Sequence, residues 1–130
     1  MKFAKIVFLV AGIWGLLVIT PLFFMFDLIG KNDPPAITHP GFYYGFVCVT
    51  FAWQIAFLVI SRDPVRLRPM MIPCMLEKFP YVIAATVLYG QSRIKTPGLM
   101  LAMVDLLLGL LFLVAFVKTG KMASARAAAG

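Results

Sequence analysis

Five side chains stand out as able to do chemistry in an otherwise apolar chain: Trp14, Asp27, Gln54, Glu77 and Asp105. A carboxyl group can hold or transfer a proton. A carboxamide donates and accepts, and an indole N–H only donates. On a helix, Glu77 shares a face with Pro73, Tyr81 and Ala84. Pro80 lacks an amide hydrogen, so the Leu76 carbonyl loses its partner beside Glu77. A protonated Glu77 can donate to such an acceptor or to the Gln54 carbonyl. Asp105 shares a face with Ala102 and Gly109, and is expected to point at neighbouring helices rather than at lipid.

Other chemistries lack their residues. Cys48 and Cys74 form no CxxC pair, which disfavours a thiol oxidoreductase. His39 is the one histidine, so neither haem nor zinc ligation has a basis in this chain alone. There is no Walker motif, GxGxxG or GxSxG. The expectation is therefore no cofactor, no metal and no catalytic set.

The elements that must position these groups follow from composition. The chain has 130 residues, 62% hydrophobic and 13% charged, with a mean hydropathy of +0.97. A soluble domain is roughly 45–50% apolar and roughly 25% charged. This composition excludes a soluble enzyme, a disordered chain and a nucleic-acid-binding module. The net charge of +7 sits at the ends of apolar runs, where it suits an anionic membrane surface. Four segments have the roughly 20 apolar residues that a span requires: residues 6–26, 42–60, 70–89 and 99–117. Each must be helical, since four strands cannot close a barrel in lipid. The reading is one all-α polytopic domain over residues 1–130, a bundle of four transmembrane helices. The first span reads as an uncleaved signal anchor.

Orientation follows the Lys/Arg count. With the N-terminus inside, Lys2, Lys5, Arg62, Arg66, Arg68, Lys118, Lys121 and Arg126 are cytoplasmic, against Lys31, Arg93 and Lys95 outside. Eight against three puts both termini in the cytoplasm, and the expected location is a bacterial inner membrane. Tyr43, Tyr44 and Tyr89 then fall in an outer aromatic belt.

Depths follow from the ~1.5 Å rise per residue. Glu77 lies ~10 Å above the inner boundary, level with Gln54 and Trp14, so the three are expected to share one layer. Asp105 lies ~10 Å below the outer boundary, near Thr20, Cys48 and Thr50. Intramembrane polar groups are functional candidates by default. The plainer alternative for Glu77 is an ion pair with Arg62, Arg68 or Lys78, and for Asp105 a hydrogen bond to a neighbouring hydroxyl. Lys78 is expected to snorkel toward the inner interface, and Asp27 to be solvated where the first span ends. Thr96-Pro97 offers an N-cap hydroxyl and a proline at the first helical position. The tail GKMASARAAAG is expected to fray.

Three stretches carry a resemblance: PLFFMFDLIG, PGFYYGFVCVTFAWQIAF and LRPMMIPCMLEK. In order, they resemble the EXPERA group of four-helix membrane proteins, which includes sterol isomerases and the sigma-two receptor. That plan has both termini cytoplasmic. Asp27 matches the acid that closes its first helix, Gln54 its second-helix glutamine, and Glu77 the polar residue near the start of the third. The acid that the family places one turn before the glutamine is Thr50 here. The resemblance implies an apolar pocket for a sterol-like or amphiphilic ligand. The plan is also similar to short bacterial DoxX-like membrane proteins.

Two functions are expected first: non-catalytic binding of a lipid-like ligand within the bundle through Glu77, Gln54, Trp14, Asp105 and Asp27, or service as an accessory subunit of a membrane complex. The alternatives are a lipid- or sterol-modifying enzyme with Glu77 as general acid, and a proton-coupled small transporter. The expected partners are the bilayer, a lipid-like small molecule, and membrane-complex subunits or further copies of the chain; nucleic acid is not among them.

Overall fold

The computed structural model describes all 130 residues, Met1–Gly130, and every regular element in it is helical. The order is α1 (Lys2–Ile19), α2 (Phe26–Asn32), α3 (Pro40–Arg62), α4 (Met71–Gly90) and α5 (Thr96–Ala129). Single 3₁₀ stretches occupy Thr20–Phe24 and Arg68–Met70. Four helical stretches are long and apolar enough to cross a membrane: Lys2–Phe24, Pro40–Arg62, Arg68–Gly90 and Thr96–Ala129. Large apolar side chains on them remain open, among them Leu17, Phe24 and Phe42 at 70%, 86% and 80% exposure. Such surface is disfavoured in water and natural against lipid. The chain is an all-α integral membrane protein.

The residues form two compact units, Met1–Phe8 with Ile60–Gly130, and Leu9–Val59. In the first, α4 and α5 form an antiparallel hairpin. Met71 meets Thr119 and Lys78 meets Asp105, so positions rise on one helix as they fall on the other. Gly109 permits the close approach, because a Cβ there would lie 2.8 Å from the Phe79 ring and 3.3 Å from the Lys78 Cβ. The first residues of α1 join this unit through Phe8, whose ring stacks on Phe112 at 4.4 Å and 6°.

Helix α5 enters through Lys95 with proline in its first two positions, but no side chain caps it. The expected Thr96 cap is absent because the helix already includes Thr96, and its hydroxyl lies 3.5 Å from the Tyr89 hydroxyl instead. The expected fraying of the tail is also corrected. α5 continues to Ala129, since Ala, Met, Lys and Arg are good helix formers. The Ser124 hydroxyl bonds the Gly120 carbonyl, and Arg126 pairs with Asp63 at 3.2 Å. Asp63 opens the turn before α4, its Oδ1 accepting the Arg66 amide at 3.3 Å.

In the second unit, Pro21 sits at the start of the Thr20–Phe24 turn. It lacks the amide hydrogen that α1 would need to continue. The chain bends at Met25 and resumes as the seven-residue α2. Thus the apolar run of residues 6–26 is not one straight helix. The Tyr43 hydroxyl ties α3 to the bend by donating to the Leu22 carbonyl at 2.7 Å. Phe26 lies between Tyr43, edge-on at 5.1 Å, and Tyr44, stacked at 5.7 Å.

Candidate functional site

The polar centre of the first unit is built by α4 and α5. Lys78 is buried, 4% exposed, well inside the Arg68–Gly90 span. Its Nζ donates to Asp105 Oδ1 at 2.9 Å and stands 3.2 Å from Glu77 Oε2. The second contact is an ion pair without hydrogen-bond geometry, and Oε2 makes no hydrogen bond. The two carboxylate side chains keep 19% (Glu77) and 25% (Asp105) of their surface open. With all three groups ionised the cluster carries two negative charges against one positive.

The expected snorkelling of Lys78 is therefore wrong, for a local reason. Gly109 faces the Lys78 Cβ, and Asp105 lies one turn beyond Gly109 on the same face of α5. One turn is ~5.4 Å, which a lysine stem can cover. A charge with an opposite partner in reach gains more from pairing than from stretching to the interface. Depths of ~10 Å from opposite boundaries of a ~30 Å layer put the two carboxylates ~10 Å apart in height, yet the Lys78 stem brings both to one ammonium nitrogen. Asp105 takes a lysine rather than the neighbouring hydroxyl of the plainer reading.

The polar centre of the second unit is Gln54, 2% exposed. Its Nε2 donates to the Thr50 carbonyl at 2.9 Å, and its Oε1 has no hydrogen-bond partner. The carboxamide packs directly on Gly15, where any Cβ would collide with Oε1, Cδ and Cγ. Gly12 makes similar room, a Cβ there falling 3.0 Å from the Gln54 carbonyl and 2.6 Å from Leu58.

Comparison with known proteins finds no family model, no curated protein and no solved structure that this chain matches.

Of the five residues read from sequence, Glu77 and Asp105 converge on Lys78 in the first unit. Gln54 and Trp14 belong to the second, where the carboxamide is enclosed and the indole is 41% exposed. Asp27 is exposed in the first turn of α2. No group of three or more His, Cys, Asp or Glu is placed to hold a metal ion. Cys74 is buried and Cys48 exposed, both as free thiols. Two cations take partners that the sequence reading did not give them, although its ion pair between Glu77 and Lys78 stands. Lys78 is the mid-span cation, and its signal was its position eight residues inside an apolar helix, beside Glu77. Arg68 is the other. Its Nε donates to the Phe116 carbonyl at 2.9 Å, and its guanidinium lies 3.7 Å above the Phe116 ring. No sequence spacing announces that contact, which joins residues 48 apart.

Proposed function

We propose that this chain is a non-catalytic protein of the bacterial inner membrane, a four-helix bundle with both termini cytoplasmic, that binds an amphiphilic, lipid-like molecule. The ligand's polar head engages Glu77 and Asp105. The observation that carries this reading is the uneven exposure of the ion cluster: Lys78 is closed off while both carboxylates stay partly open within span-length helices. A net negative cluster in a membrane span is costly when left unbalanced. A head group that donates hydrogen bonds or carries positive charge balances it, which points to a hydroxyl or amine. The resemblance to the EXPERA plan supports an apolar enclosure for the rest of the ligand, and the likeness to DoxX-like proteins supports a bacterial membrane. The eight-to-three Lys/Arg bias supports the orientation.

The test is purification of the full chain in mild detergent, followed by native mass spectrometry. Wild type is expected to retain a non-detergent amphiphile, and Glu77→Gln to fold normally yet lose it. Equal retention by wild type and Glu77→Gln, or an empty wild type, defeats the reading. A phosphatase fused after Gly130 should be inactive; high activity reverses the orientation.

A second reading, an accessory subunit of a membrane complex, is favoured by α5. Its 34 residues reach ~51 Å at ~1.5 Å per residue, well beyond the ~30 Å hydrocarbon layer. Protein subunits that co-purify in place of a lipid select this reading.

A further inference from the structure

Arg68 is held at its inner edge and left unpaired at its outer one. It is the first residue of the Arg68–Gly90 span and opens the turn that leads into α4. The Nε–H is spent on the Phe116 carbonyl at 2.9 Å. One face of the guanidinium is covered by the Phe116 ring at 3.7 Å. Gly120, one turn along α5, leaves room for the fork, since a Cβ there would stand 2.8 Å from Nη2. Two contacts, with the room that Gly120 leaves, thus fix the plane of the group, while neither Nη1 nor Nη2 meets an acceptor and no carboxylate pairs with it.

Most charged residues of its unit are positive. Lys2, Lys5, Arg62, Arg66, Lys118, Lys121 and Arg126 all belong to the same unit as Arg68. The acid in the adjoining turn, Asp63, is already engaged by Arg66 and Arg126. Lys118 is turned onto the Phe3 ring at 4.4 Å. An immobilised guanidinium at a span boundary, with two free N–H-bearing nitrogens, matches two oxygens of one phosphate. Because its geometry is preset, little side-chain freedom is lost when an anion binds.

We propose that Arg68 is a phosphate-binding site that takes the phosphodiester of an anionic phospholipid at the end of the α4 span. The position decides the source: a span's first residue meets the headgroup layer, and the surrounding cations attract anionic lipid. The proposal is independent of the ligand assigned to Glu77 and Asp105.

The full chain, reconstituted in phosphatidylcholine bilayers containing phosphatidylglycerol, is released gently, and its retained lipids are counted by native mass spectrometry. Wild type is expected to retain phosphatidylglycerol over phosphatidylcholine. Arg68→Gln should lower that preference roughly tenfold, the scale of a charge-assisted hydrogen bond. Arg66→Gln removes the same charge from the same turn and should change it less than about twofold. Arg68→Lys keeps the charge without the fork and should still lose several-fold. Gly120→Ala crowds Nη2 while leaving every charge in place, and its weakened retention keeps the test decisive if Arg68→Gln misfolds. Equal losses in Arg66→Gln and Arg68→Gln would mean a diffuse field and overturn the site, as would full retention by Arg68→Lys or Gly120→Ala. Inorganic phosphate is titrated in a separate arm with detergent-solubilised protein and no added lipid. If phosphate binds there in an Arg68-dependent way while phosphatidylglycerol shows no preference, the lipid assignment is overturned in favour of a soluble phosphate.

Discussion

The two units solve one problem in different ways. Lys78 and Gln54 are both almost completely buried within span-length helices. Lys78 carries a full charge, and its burial depends on a partner from another helix, Asp105 of α5, with Glu77 beside it. Gln54 is neutral. Its burial depends on a carbonyl of its own helix, Thr50, and on the missing side chain of Gly15. A buried charge needs opposite charge, because the desolvation of an unpaired ion exceeds any local hydrogen bond. A buried amide needs mainly space, with Oε1 tolerated against a glycine. Charge pairing therefore specifies the α4–α5 contact chemically, whereas the amide specifies its contact sterically.

The largest expected effect breaks the chemical contact. Lys78→Met leaves Glu77 and Asp105 as two like charges without a counterion. Removing one partner of a buried pair costs about 3–5 kcal/mol. The partial exposure of both carboxylates places the loss near the lower end, about 3 kcal/mol. SDS-titrated unfolding in mixed micelles measures it. Asp105→Asn should cost less, since Glu77 remains to pair with the lysine. Glu77→Gln should cost least, because its Oε2 makes no hydrogen bond. Neutralising all three together, as Glu77→Gln, Lys78→Met and Asp105→Asn, should recover stability relative to Lys78→Met alone. The opposite order among the single variants would show that Glu77, rather than Asp105, is the main partner of Lys78.

A middle-sized effect breaks the steric contact. Gly15→Ala places a methyl group where the Gln54 carboxamide lies. Overpacking costs about 1–3 kcal/mol, set against up to about 1 kcal/mol gained by replacing glycine in a helix. The expected net is a loss of about 1 kcal/mol. Gln54→Ala in the same chain vacates the collision and should turn the loss into a small gain. A double-mutant cycle that shows no coupling between residues 15 and 54 would remove the contact from the account.

The same contrast explains what the sequence disclosed. Span number and approximate position were legible, because long apolar runs have few other solutions. The end of α1 before Pro21 and the bend at Met25 were less so, since apolar residues continue through the bend without a break in composition. Glu77, Asp105 and Gln54 were recognisable as costly residues, each from its own position. Lys78 was legible as a partner of Glu77, but the partners of Asp105 and Gln54 were not. The Lys78–Asp105 pair joins residues 27 apart and depends on the glycine that sets helix spacing. Arg68 was counted as one basic residue among eight, and only the fold shows its plane fixed on Phe116. Periodicity reports which face a residue occupies, but a pairing across helices depends on their register.

The smallest expected effect lies outside the spans, where charge pairing acts in water. Asp63 accepts the Arg66 amide and meets the Arg126 guanidinium at 3.2 Å. The Arg66 N–H foremost, with Arg126 assisting, holds its carboxyl below the ordinary value of 3.8. Its contribution is therefore fully present above pH 3.8 and is lost as pH falls through the lowered value. This contact pins the far end of α5, so its loss should free the last turns and leave the α4–α5 hairpin intact. A spin label on Ala129→Cys reports the mobility of that end. Between pH 7 and pH 5 the spectrum should not change, and below pH 3.8 the mobile fraction should rise. Asp63→Asn should give a comparable rise at pH 7, about two- to threefold given the modest worth of exposed ion pairs. High salt should act in the same direction, as expected for an exposed pair. The Lys78 cluster, whose ammonium is buried within a span, should respond less to salt. A tail equally ordered in Asp63→Asn and wild type would assign its helix to the propensity of its alanines alone.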